Sequence, residues 1–193
     1  MNTGGVWELE LWADGRVLIG GAFTQVEGLP RARVALLESN GTVDVSFDPG
    51  EGPNDQVYVV KSEADGNILI GGRFTRVNGT GRNRLARLTP TGLLEASLVN
   101  GGGFNHYVHA LGLEADGKIV VGGRFTTYNG QAHGRIVRLL PGGAVDPSFL
   151  VGTGANETVR TVLVQPDGHI VVGGEFTQFN GLAHYRLVCL YGG

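Results

Sequence analysis

The chain has 193 residues, a formal net charge of −3 and one cysteine, Cys189. That length buries a substantial core without staples, and a single thiol excludes an internal disulfide. The acidic balance, with Lys and Arg scattered along the chain, excludes the clustered basic face of a nucleic-acid binder, so no nucleic-acid partner is expected.

Thirty-four glycines against seven prolines point to many tight turns between short strands. No apolar run approaches the ~18 residues of a membrane span, and the opening MNTGGVWELE has neither a basic nor an apolar leader region. Neither a span nor an export signal is expected, and the compartment stays open.

Glycine pairs fall at 20–21, 71–72, 122–123 and 173–174, a spacing of 51 residues each time. The same shift superimposes Asp14, Asp65, Asp116 and Asp167, then Phe23, Phe74, Phe125 and Phe176, then Arg33, Arg84, Arg135 and Arg186. A period of this length marks stacked supersecondary units. The repeats run 1–51, 52–102, 103–153 and 154–193 within a single repeat domain, 1–193.

Each repeat opens on an apolar strand (VYVVKS, VHALGL, VRTVLV) and turns at ADG or PDG, where Asp bonds the corner and Gly supplies positive φ. The second strand (RVLIGG, NILIGG, KIVVGG, HIVVGG) is apolar at consecutive positions, so both of its faces are covered. After a loop, a third strand such as RLARL alternates and reads as more peripheral. A glycine turn then leads to a short fourth strand (TVDVSF, LLEASL, AVDPSF) and a Gly-rich crossover with Asn54, Asn105 or Asn156.

Mostly four antiparallel strands per unit, the inner ones buried on both sides, describe an all-β fold, a β-propeller of four blade repeats. A parallel solenoid, the main rival, needs no tight DG hairpin in every coil. The glycine pair is expected where backbones crowd, the following Phe between blades, and the recurrent Arg at the mouth of the third strand, tying loop carbonyls or a turn carboxylate. The last repeat stops short of its outer strand, and residues 1–5 are too few to replace it. Self-association that completes the ring is therefore expected. Blade 1 is atypical, with Glu8 and Glu10 at slots that are mostly apolar elsewhere.

The strings PDGHIVVGGEFTQFNG…YRLVCL and VDPSFLVGTGANETV resemble the delta-60 repeat, a bacterial β-propeller repeat of the DUF5122 type, over essentially the whole chain. The resemblance implies a propeller from large bacterial surface or secreted proteins, often in longer arrays. It transfers no catalytic residue.

The chemistry is weak by comparison. GLEADGKI follows the first part of a phosphate-binding loop but continues with Ile where Ser or Thr is required, and it precedes a strand. The five histidines offer no metal-ligand spacing. Asp44, Glu95 and Asp146, each two residues before a Ser, read as turn caps sooner than calcium ligands. No metal, cofactor or catalytic residue is expected, and three sequons at Asn40, Asn78 and Asn156 coincide with turns.

The variable slots carry more. Trp7, Tyr58, His109 and Arg160 occupy equivalent places at the entrance of the innermost strand, beside Asn105 and His106 on a crossover. Aromatic and hydrogen-bonding groups gathered there suit a protein, glycan or small polar ligand. The reading is a noncatalytic propeller for binding or assembly, part of or partner in a larger bacterial surface or secreted assembly. The alternatives are a lectin-like or adhesive propeller and, last, a hydrolase with a central-channel site.

Overall fold

The computed structural model describes residues 4–98 and 101–192, and every regular element among them is a strand. Repeat 1 contributes β1 (Val6–Leu11), β2 (Val17–Gly21), β3 (Gln25–Val26), β4 (Leu29–Pro30) and β5 (Val34–Leu37). Repeat 2 contributes β6 (Val57–Ser62), β7 (Ile68–Gly72), β8 (Arg76–Val77), β9 (Thr80–Gly81), β10 (Leu85–Leu88) and β11 (Leu94–Glu95). Repeat 3 contributes β12 (Val108–Leu113), β13 (Ile119–Gly123), β14 (Thr127–Tyr128), β15 (Gln131–Ala132) and β16 (Ile136–Leu139). Repeat 4 contributes β17 (Val159–Val164), β18 (His169–Gly174), β19 (Gln178–Phe179), β20 (Leu182–Ala183) and β21 (Leu187–Tyr191).

The first hairpin of every repeat closes by the same device. Asp14, Asp65, Asp116 and Asp167 each accept the amide of the residue two places on, at 3.0–3.2 Å. The intervening glycines have φ between 82° and 88°, a region closed to most side chains. The supposed phosphate loop is one of these four corners and joins two strands.

The second strand of each repeat lies at the centre of its sheet, in the orders β1-β2-β5, β6-β7-β10-β11, β12-β13-β16 and β17-β18-β21. All pairings are antiparallel. Apolar residues at consecutive positions then serve both faces: all of β7 and β13 is buried. The fourth strand is two residues in repeat 2 and a single bridge, Leu37 to Val43 and Leu139 to Val145, in repeats 1 and 3.

The chain divides into two units, residues 1–97 and 98–193. In the first, β1 and β2 lie against β6, and the core gathers Leu18, Leu36, Phe47, Val60, Ile70 and Phe74. In the second, β12 and β13 lie against β17 around Val120, Ile136, Val159, Val172 and Phe176. The recurrent Phe23, Phe74, Phe125 and Phe176 are at most 2% exposed. In repeats 1 and 3 the first glycine of the pair is the close approach between neighbouring sheets. A Cβ on Gly20 would sit 2.8 Å from Val60, and one on Gly122 would sit 2.5 Å from Val159.

Two features depart from the sequence reading. The third strand lies outside the second, as expected, yet β10 and β16 are buried at every position, where Arg87 and Arg138 find buried acid partners. The loop after the Phe is itself a small hairpin, β3-β4, β8-β9, β14-β15 or β19-β20, whose corner in repeats 2–4 is Asn-Gly. Asn78, Asn129 and Asn180 adopt φ of 47–50° there, as a mirror-image turn requires. Their carboxamide oxygens accept amides of the preceding crossover, Gly52, Gly103 and Thr153, at 2.7, 2.8 and 3.1 Å. The hairpin tip is thereby clamped to the crossover.

Candidate functional site

The first strands of all four repeats carry the same irregularity. Register shifts separate Val6 from Glu8, Val57 from Val59, Val108 from Ala110 and Val159 from Thr161. The extra residues are Trp7, Tyr58, His109 and Arg160. A bulge leaves its residue out of the ladder and re-aims the side chain. Here it also folds the incoming crossover onto the sheet: the carbonyls of Gly5, Gln56, Tyr107 and Thr158 each accept an amide, from Ala22, Arg73, Arg124 and Glu175, at 2.8 Å. The second glycine of the pair makes this possible. A Cβ on Gly21, Gly72, Gly123 or Gly174 would lie 2.2–2.3 Å from those carbonyl oxygens.

In the first unit, Trp7 is 53% exposed and Tyr58 is half-buried. Nearby on the crossover and strand end, Asp55 pairs with Arg73 at 3.0 Å. In the second unit, Arg160 reaches Glu175 at 2.6 Å and lies 3.4 Å from His109 Nε2. The His106 ring lies 4.1 Å from that of Tyr107, which meets His109 edge-on at 6.3 Å. Burial first, and the Arg160 cation second, hold His109 down at about 4. The imidazole is therefore neutral at pH 7 and offers one donor and one acceptor. The Arg160 guanidinium holds the Glu175 carboxyl below its ordinary range.

Asn105 takes a different part. Its Oδ1 accepts the amides of Thr126 and Thr127 at 2.9 and 3.0 Å, and its Nδ2 donates to Thr126 Oγ1 at 2.8 Å. Asn54 and Asn156 repeat the pattern. This carboxamide fixes the crossover that leads into the bulge.

The recurrent arginines are built into the same corner. Arg33, Arg84, Arg135 and Arg186 have φ of 64–70°, uncommon for a side chain of this size. Each carbonyl accepts the amide of the second glycine, at 2.9–3.0 Å. The Arg135 guanidinium donates to the Ala155 carbonyl at 2.9 Å and faces Glu157 at 3.7 Å, and that of Arg186 donates to the Glu175 carbonyl.

The family described as a domain of unknown function (DUF5122) beta-propeller matches residues 13–47, 63–98, 114–149 and 165–190, well over half of the chain. The chain belongs to the DUF5122 β-propeller family. The four matched segments contain the glycine pairs, Phe23, Phe74, Phe125 and Phe176, and the four left-handed arginines. Trp7, Tyr58, His109 and Arg160 fall outside all of them.

No curated protein matches the sequence. Among solved structures, the WD40 β-propeller domain of Doa1 is similar with a TM-score of 0.58 at 17% identity, over 88% of this chain and 48% of that one. The extracellular domain of the putative one-component system BT4673 from B. thetaiotaomicron gives 0.55 at 15% identity, over 87% and 19%. Virginiamycin B lyase from Staphylococcus aureus gives 0.52 at 17% identity, over 87% and 48%. These likenesses show the propeller fold, and this chain spans about half the length of the Doa1 domain and a fifth of the BT4673 domain.

This DUF5122 propeller also holds buried ion networks that reading the sequence missed. Arg138, 1% exposed, pairs with Asp146 at 2.8 Å and Glu114 at 3.1 Å, donates to Ser148 Oγ at 2.9 Å and to the Gly192 carbonyl, and lies over the Phe149 ring. Arg87 repeats this with Glu63 and Ser97. Asp44, Glu95 and Asp146 each cap the Ser two residues on. The Ser148 amide and hydroxyl hold the Asp146 carboxyl below its ordinary range. The available signal was an Arg on a strand 24 residues after a Glu. Among the described residues no group of three or more His, Cys, Asp or Glu is placed to hold a metal ion, and no helix is long and apolar enough to cross a membrane.

Proposed function

We propose that this chain is a noncatalytic propeller module that binds a partner through the bulge residues of its repeats, within a larger bacterial surface or secreted assembly. The observation that carries this reading is that one bulge, repeated four times, aims an indole, a phenol, a neutral imidazole and a guanidinium from equivalent positions. A repeated frame with a different group at each copy suits recognition of a shaped partner. Extracellular domains of putative one-component and hybrid two-component systems from B. thetaiotaomicron among the fold neighbours fit a surface setting. Neighbours named for catalysis, virginiamycin B lyase and glucose dehydrogenase, share only the fold, which hosts many functions. The buried acids support the noncatalytic side, since arginine and serine partners hold them.

The test is a protein and glycan array probed with the wild type and with Trp7→Ala, Tyr58→Ala and Arg160→Ala. Wild-type hits that weaken in these variants support the reading, and hits indifferent to all three remove it. The exposed Trp7 ring favours a second, lectin-like reading, because an indole face stacks on a sugar ring. Glycans alone among the hits would select it.

Assembly has its own support. Leu9 and Leu11 on β1 are 64% and 73% exposed beside Trp7, an apolar row of the kind that marks contact surfaces. Self-association through this row is part of the proposal.

A further inference from the structure

Two slots flank the bulge in repeats 2–4: the residue after the glycine pair, Arg73, Arg124 or Glu175, and the residue two places before the first strand, Asp55, His106 or Glu157. The backbone frame is the same each time, with the amides of Arg73, Arg124 and Glu175 donating to the carbonyls of Gln56, Tyr107 and Thr158 at 2.8 Å. The second slot has one structural task throughout, which is to accept the amide of the next residue. Asp55 Oδ1 takes that of Gln56 at 2.8 Å, His106 Nδ1 that of Tyr107 at 2.8 Å, and Glu157 Oε2 that of Thr158 at 3.1 Å.

In repeat 2 the slot has a second task, because the Asp55 carboxylate also pairs with Arg73 at 3.0 Å. Repeat 3 keeps the guanidinium, as Arg124, and puts the His106 imidazole where the carboxylate was. A ring nitrogen that accepts an amide carries no proton, so the His106 proton sits on Nε2 and makes that atom a donor. The Tyr107 ring, 4.1 Å from that of His106 and 6.3 Å from that of His109, packs against both imidazoles. The acids of repeat 4 serve other cations: Glu175 holds Arg160 at 2.6 Å, and Glu157 faces Arg135 at 3.7 Å. Among the described residues no carboxylate pairs with Arg124. Arg124 is exposed, and its cation acts on His109 together with that of Arg160.

We propose that Arg124, with the His106 and His109 rings beside it, forms a site for an aspartyl or glutamyl carboxylate of a protein partner, bound as repeat 2 binds its own Asp55. A guanidinium matches a carboxylate with two parallel N–H donors, and the imidazole N–H adds a further one. A protein carboxylate is favoured because an aspartyl side chain fills the equivalent place on the same backbone frame in repeat 2. The proposal rests on the recognition reading above and names the chemistry that repeat 3 brings to it.

The probes are the acetylated and amidated peptide GDG and its neutral counterpart GNG, titrated into the full chain while NMR follows the ring signals of His106 and His109. The expected result is a saturable shift of both rings by GDG, with a dissociation constant at least about fivefold lower than that of GNG. Arg124→Gln should raise the GDG constant by a similar factor. His106→Asp should abolish the GDG-induced shift of His109, because it rebuilds within the chain the pair that Asp55 makes with Arg73. Repeat 2 already accommodates aspartate at this slot and Arg124 is exposed, so both variants keep the fold. Equal shifts by GDG and GNG, or GDG binding undiminished in either variant, would overturn the proposal. So would galacturonate shifting the rings where GDG does not, which assigns the carboxylate to a glycan. Array hits that weaken on Trp7→Ala and Tyr58→Ala yet ignore Arg124→Gln and His106→Asp strike this site alone and leave the recognition reading standing.

Discussion

Four arginines in the left-handed region are the most unusual backbone feature of this chain, and the cost falls on the backbone, not the guanidinium. An L-residue there costs ~1–2 kcal/mol relative to the right-handed region, and glycine escapes most of it. Truncating Arg135 to Ala keeps that cost and loses the bond to Ala155, whereas Arg135→Gly loses the same bond but relieves the backbone. Urea unfolding of both variants is expected to find R135G the more stable by ~1 kcal/mol. His109 makes a second prediction at this scale. Its folded value of about 4 lies below the ordinary 6.5. At pH 7 the imidazole is neutral in the folded chain and mostly neutral in the unfolded one, so it contributes little to the pH slope there. Between pH 6.5 and 4 the unfolded chain takes up a proton that the folded one refuses, so stability falls as pH drops through that window. His109→Gln removes this part of the slope, and an NMR titration of the ring should report an apparent value near 4.

At the scale of elements, the third strand teaches most about reading the sequence. Alternation in RLARL reads as a more peripheral strand, and an Arg counts as solvent-facing by default. Pairing that spans 24 residues has no local signature, so the buried bidentate contact of Arg87 with Glu63 stayed invisible. The first hairpin was legible because Asp and Gly act within their own corner. The small hairpin was missed although Asn-Gly at 78–79, 129–130 and 180–181 announces it, because flanking strands of two residues carry no periodicity. Repeat 1 fills the Glu63 and Arg87 slots with Trp12 and Leu36, an apolar pair packed in the core cluster of the first unit. Removing one partner of a buried pair costs ~3–5 kcal/mol, whereas replacing both by apolar groups is often neutral. Arg87→Leu alone is therefore expected to destabilise by about that range, and Glu63→Trp with Arg87→Leu by clearly less. Chemical denaturation of the single and double variants checks it.

For the whole molecule, the 51-residue period was enough to read a propeller, because glycine pairs and buried Phe recur wherever sheets pack. The candidate site was half legible. Trp7, Tyr58, His109 and Arg160 were found by their shared slot and their variety, but the bulge that aims them is a backbone event without a residue type of its own. Asn105 read as a binding group because a loop Asn offers the same atoms to a ligand as to its own crossover. The apolar row on β1 yields a prediction at this scale: Leu9→Lys with Leu11→Lys should reduce any concentration-dependent mass above 20.3 kDa in light scattering.

In the proposed division of labour, the recurring residues hold the sheets together and the bulge residues meet partners. One alanine series tests it most directly, with Phe23, Phe74, Phe125 and Phe176 set against Trp7, Tyr58, His109 and Arg160, each read by its urea midpoint. The account predicts losses of ~3–5 kcal/mol for every Phe and under about 1 kcal/mol for every bulge residue. Bulge variants that unfold as readily as the Phe variants would contradict it.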